Sequence, residues 1–138
     1  MRSVGYKGEG RKIDLWALSC STADGLIAHS YEVKVSRADW LSELKKPLKR
    51  RMAMAISNQF WFVAPKGIIK PEEIPHLCGL IEVTQGPIGL WTERTLQAEF
   101  RDKVRPTWAI VGQMARSFYR TEIGLKNEMG RKKESNAN

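Results

Sequence analysis

The sequence predicts an α/β domain, a mixed β-sheet flanked by helices, on three observations. Two β-patterned runs lie on either side of a turn at Ala23-Asp24-Gly25. A helical stretch over residues 37–56 separates the second run from an aromatic strand at Phe60 to Ala64, which is a connection long enough for parallel pairing. A strand pair around Gln85-Gly86-Pro87 and a C-terminal helix complete the pattern. The length of 138 residues suits one domain. It is expected over residues 1–125, with a core at 11–93 and the C-terminal helix at about 106–121. A basic tail without fixed structure is expected over 126–138.

The first strand is Lys12 to Cys20, in which Ile13, Leu15 and Ala17 alternate with Asp14 and Trp16. The second is Leu26 to Val35, with Tyr31, Val33 and Val35 on one face and Glu32 and Lys34 on the other. Ser36 is an N-cap residue with Asp39 three positions on, so a helix begins at Arg37 and carries Trp40, Leu41 and Leu44 as its apolar stripe to Lys46. Pro47 interrupts it and starts a second helix, Leu48 to Ile56. Phe60 to Ala64 is a buried strand between Asn58 and Pro65. Pro65 to His76 is a loop with one helical turn at Glu72-Glu73, and Gly79 to Thr84 and Ile88 to Thr92 form the hairpin. Leu96 to Val104 has no decisive pattern. Pro106 opens the last helix.

The composition narrows the function. Lys and Arg number 23 against 15 Asp and Glu, a formal charge of +8, which favours a phosphate-bearing partner. No apolar run is long enough to span a membrane, and the polar N-terminus has no signal-peptide core, so a cytoplasmic protein without a membrane partner is expected. Cys20 and Cys78 lack CxxC spacing, which argues against zinc. No phosphate-binding glycine pattern or nucleophilic triad is present.

The chemically informative residues are Asp14, Glu32 and Lys34. A three-residue loop at Ala23-Asp24-Gly25, with glycine in its left-handed third position, sets Asp14 opposite Lys34 and diagonal to Glu32 on one sheet face. Two carboxylates and an ammonium on one face suit metal-dependent phosphodiester hydrolysis, the carboxylates holding Mg²⁺ and the lysine orienting water or stabilising phosphate charge. The same residues also suit a solvated cross-strand ion pair.

Ile13-Asp14 followed by Glu32-Val33-Lys34 resembles the bipartite signature of the PD-(D/E)XK nuclease superfamily. The run Tyr31 to Leu41, with Leu44-Lys45-Lys46-Pro47, Phe60 to Pro65 and Cys78 to Val83, is similar to its MmcB-like branch, which is associated with DNA repair. The resemblance covers roughly residues 10–84. It implies a restriction-endonuclease-like core and a Mg²⁺-dependent DNA endonuclease acting in repair, recombination or phage DNA metabolism. Asp14 and Glu32 would hold Mg²⁺ or Mn²⁺ with the backbone carbonyl of Val33, and Lys34 would assist the water. Ser36, Arg37 and the following helix would border the site. Ile13 stands where the family often has proline. Many members also have an earlier helix with a further acidic ligand, whereas Glu9 is the sole acid ahead of Asp14. Three alternatives follow: Glu9 serves from a loop, a partner subunit of a homodimer completes the site, or the site is incomplete. The last would make the protein a catalytically inactive nucleic-acid-binding accessory module.

Lys45, Lys46, Lys49, Arg50 and Arg51 form a basic block suited to a DNA backbone, with RNA also open, or to a solvated helix face. Arg37 offers a planar fork to phosphate. Trp16, next to Asp14, is a candidate base-stacking residue. Trp40 and Trp61 are expected in the core, and Trp108, Phe118 and Tyr119 against the sheet or a second subunit.

Overall fold

The computed structural model describes residues 13–19, 23, 25–102 and 108–135. The chain divides into two compact units, Met1–Arg105 and Pro106–Asn138. The first holds a five-stranded mixed sheet in the order β1-β2-β3-β4-β5, and the α/β class expected from the pattern is the one observed. β1 (Leu15–Ser19) runs antiparallel to β2 (Ile27–Val33). Helices α1 (Arg37–Leu44) and α2 (Pro47–Ala55) then carry the chain across to β3 (Gln59–Pro65), which is parallel to β2. β4 (Cys78–Gly86) is parallel to β3, and β5 (Gly89–Leu96) returns antiparallel.

Local chemistry sets the element ends. Ser36 caps α1, its Oγ accepting from the Asp39 N–H at 3.2 Å. Pro47 occupies the first turn of α2, where its missing N–H removes no helix bond. A one-turn 3₁₀ helix at Pro71–Glu73 fills the loop before β4.

One face of the sheet carries Ala28, Ser30, Phe60, Phe62, Cys78 and Leu80, and packs with Trp40, Ala53 and Ile69 into the core. Trp40 meets Phe62 edge-on at 4.9 Å between centroids, and Phe60 meets Phe62 at 5.1 Å. Trp40 and Trp61 are buried as expected. Leu41 lies outside the stripe assigned to it: it is exposed, and Glu43 occupies the buried face beside Trp40.

After β5 the chain runs back across the molecule instead of ending. Ala98 is buried, Glu99 N–H donates to Leu77 C=O and Arg101 N–H to Asn58 C=O. Asn58 also donates through Nδ2 to Arg101 C=O, accepts from Ala28 N–H at Oδ1 and donates its own N–H to Ala28 C=O.

The second unit is helix α3 (Trp108–Ser135). It continues far past the expected end near 121, so the tail over 126–138 is helical through Ser135. Trp108, Phe118 and Tyr119 are exposed. Among the described residues no helix is long and apolar enough to cross a membrane.

Candidate functional site

The register of β1 against β2 decides which charges meet. Leu15 pairs with Tyr31 and Ser19 with Ile27, so the ladder points Asp14 to the level of Glu32, not Lys34. The expected register is therefore off by two residues. Both strands are shorter at the turn than expected, leaving residues 20–26 as the connection, and Gly25 keeps its left-handed φ of 78°. An offset of two preserves the face of every side chain, because the side-chain period along a strand is two.

Asp14 is exposed at the start of β1, and its Oδ2 accepts from Val33 N–H at 2.9 Å. The carboxylate thereby takes the place of the next backbone acceptor beyond the Leu15–Tyr31 pair. A strand residue turns its N–H and C=O to the same edge, so the Val33 carbonyl faces the Asp14 side beyond the ladder's last pair. Asp39 Oδ2 accepts from Val35 N–H at 3.4 Å on that same edge.

Behind them lies a buried ionic cluster. Glu32, Lys34 and Glu43 are 5%, 4% and 4% exposed. Lys34 Nζ stands 2.9 Å from Glu32 Oε1, 3.0 Å from Glu43 Oε2 and 3.9 Å from Asp39 Oδ1. Burial works to lower the lysine pKa, but the hydrogen bonds and charges of Glu32 and Glu43 outweigh it and leave the group above its ordinary value. Lys34 is therefore a held cation at neutral pH, not a base. Glu43 Oε1 faces Arg50 Nη1 at 3.9 Å, too long for a direct hydrogen bond. Within this cluster four carboxylates, Asp14, Glu32, Asp39 and Glu43, stand against two cations, Lys34 and Arg50.

The remaining expected residues divide. Ser36 is spent on the α1 cap. Arg37 is held as a fork by Glu73, both bonds at 2.5 Å, and donates to Ile68 C=O. That pair holds the Glu73 carboxyl down at about 2 from an ordinary 4.5, and Trp40 Nε1 donates to the same carboxylate. Arg50 departs from the outward basic face: its guanidinium turns in to Glu43 and lies 5.9 Å over the Phe62 ring. Lys45, Lys46 and Arg51 are exposed at the α1–α2 corner, while the Lys49 side chain and Glu9 lie outside the described residues. Trp16 is half-buried and donates Nε1–H to Ile56 C=O at 3.1 Å, which ties it to the fold. Among the described residues no group of three or more His, Cys, Asp or Glu side chains is arranged to hold a metal ion. Cys78 is a buried free thiol, pushed up to about 11 by burial.

Sequence reasoning missed Glu43 and Glu73. Glu43 carries a signal, since it falls three residues after Trp40 on the inward face of α1. Glu73 carries none, because it meets Arg37 only through the tertiary fold.

The sequence matches no protein-family model and no curated protein. Among solved structures it is similar to the SPO1766 protein of unknown function from Silicibacter pomeroyi, with a TM-score of 0.54 and 18% identity over 75% of this chain and 66% of that one. The likeness extends to the fold.

Proposed function

We propose that the protein is a divalent-metal-dependent hydrolase of DNA phosphodiesters, built on a restriction-endonuclease-like version of this α/β sheet. The observation that carries the reading is Lys34: an ammonium buried between Glu32 and Glu43, on the sheet face and at the strand end where Asp14 meets Val33. A buried ion cluster is a poor way to stabilise a fold, since desolvation offsets most of the attraction. A held cation beside carboxylates suits reaction chemistry instead.

Asp14 and Glu32, at one level of the β1–β2 ladder by extension of its register, would hold a hard divalent cation together with the Val33 carbonyl, which faces the edge where Asp14 accepts from Val33 N–H. Mg²⁺ commonly takes one or two carboxylates and leaves its other positions to water and phosphate oxygens. When bound, the metal supplies polarisation of the phosphate and a more acidic water. Lys34, kept protonated, orients that water and stabilises charge on the phosphate, and Glu43 fixes where its Nζ sits. Lys45, Lys46 and Arg51 hold the DNA backbone from the α1–α2 corner.

Asp14→Asn tests the reading with little risk to the fold, because the residue is exposed and an amide oxygen still accepts from Val33 N–H. Cleavage of DNA in Mg²⁺ or Mn²⁺ is expected to fall ~100-fold or more in the variant, with an unchanged melting temperature. Equal cleavage by variant and parent would overturn the assignment. Absence of metal-dependent cleavage by the parent, together with salt-sensitive DNA binding, would select the inactive binding module.

A further inference from the structure

β4 and β5 extend past the rest of the sheet. β3 ends with Pro65 opposite Val83, but β4 continues through Thr84, Gln85 and Gly86, paired only with β5. This two-stranded ribbon overhangs by about 10 Å. Its tip is strongly apolar for solvent-facing residues: Ile88 is 93% exposed, Leu90 70% and Trp91 64%. Turn apices ordinarily carry glycine or small polar residues, so an exposed isoleucine there is a conspicuous departure. Trp91 is held in place. A Cβ added at Gly86 would overlap the indole, so the missing side chain at Gly86 is what lets the ring lie across the ribbon.

The ribbon and the candidate site lie at the same end of the sheet, because β2, β3 and β4 are parallel and both features follow their C-terminal ends. They also share a face. Glu32 pairs with Phe62, Phe62 with Leu80, and the alternation Leu80, Glu82, Thr84 leads to Trp91 opposite Thr84. Three strand spacings across and two residues along put Trp91 about 16 Å from Lys34. That distance equals about five base-pair steps of stacked duplex and is covered by fewer nucleotides of an unstacked strand.

Resting on the nuclease reading, we propose that the β4–β5 ribbon is the part of the substrate site that engages unpaired or unstacked bases, Trp91 stacking on a base and Ile88 entering beside it as a wedge. The substrate class is then DNA with single-stranded or branched character, not continuous duplex. A net charge of +8 supplies the general attraction, and the fixed indole supplies the base contact.

The test is metal-free binding of the full chain to three fluorescent DNAs of equal length: single strand, a duplex with a single-stranded arm, and continuous duplex. The first two are expected to bind tighter than duplex. Trp91→Ala should weaken them ~5- to 150-fold while leaving duplex binding unchanged, and Trp91→Phe should restore most of the loss. No preference in the parent, or equal binding by Trp91→Ala, would overturn the proposal. So would a shift from dimer to monomer in Trp91→Ala with DNA binding intact, which would make the tip an interface between copies. Because the assay contains no metal, a failure of cleavage is read separately from a failure of the ribbon.

Discussion

Replacing Lys34 with methionine keeps the aliphatic stem and removes one charge from the centre of the buried cluster. Glu32 and Glu43 side chains, 7% and 3% exposed, are then left facing the vacated position without the ammonium they shared. Removing one partner of a buried ion pair costs about 3–5 kcal/mol, and these groups are shielded enough for solvent to relieve little of it. Against a domain stability of about 5–15 kcal/mol, the variant is expected to fold but with a small margin. Urea unfolding at pH 7 should show a midpoint lowered by about 1.5 M or more, for a slope of about 1–2 kcal/mol/M. The deficit should be smaller when Glu43→Gln is added to the variant, because one of the two unmatched buried carboxylates is then neutral. A midpoint within about 0.3 M of the parent at pH 7, or no recovery on adding Glu43→Gln, would refute the reasoning.

Two further expectations concern stability. Glu73, held down at about 2 from 4.5 by Arg37, contributes stability in full above about pH 4.5 and loses it as pH falls toward 2. Glu73→Gln should lower the parent's stability at pH 6 and flatten its decline between pH 4.5 and 2, as measured by circular dichroism across denaturant series. Gly79→Ala places a Cβ into the Trp61 ring and 2.7 Å from the Ala98 backbone nitrogen, so a loss of about 1–3 kcal/mol is expected on thermal unfolding.

Much of the fold is legible because its signals are local. Alternation along residues 27–33 assigns faces, Ser36 and Pro47 mark helix starts, and the helical run between two strands implies the parallel crossover. The β1–β2 register is less legible, since turn chemistry at Gly25 does not say how far pairing extends. Faces survived because the error was an even number of residues. The site shows the same division. Asp14, Glu32 and Lys34 share a face that periodicity reveals, but whether a charge is solvated or buried depends on what packs over it. Arg50 looks like its basic neighbours in sequence and is distinguished only by lying across Phe62 and facing Glu43. Glu73 is chosen by Arg37 and Trp40 from a loop more than thirty residues away, a pairing no local pattern encodes.

Asn58 gives the sheet two unlike ends. Its amide and backbone groups bind Ala28 at the start of β2 and Arg101 in the returning chain, so every polar group of the residue is used where the parallel strands begin. Three distant stretches are knotted together there, and exchange of Asn58 for another residue takes the side-chain partner from two backbone groups at once, Ala28 N–H and Arg101 C=O. The opposite end, where Lys34, the two aspartates and the overhanging ribbon lie, is fastened by ion pairs instead, Lys34 between Glu32 and Glu43 and Arg37 on Glu73. Neutral amide bonds close one pole of the sheet and charges close the other, so substitutions at the pole open to ligand change cohesion and binding together.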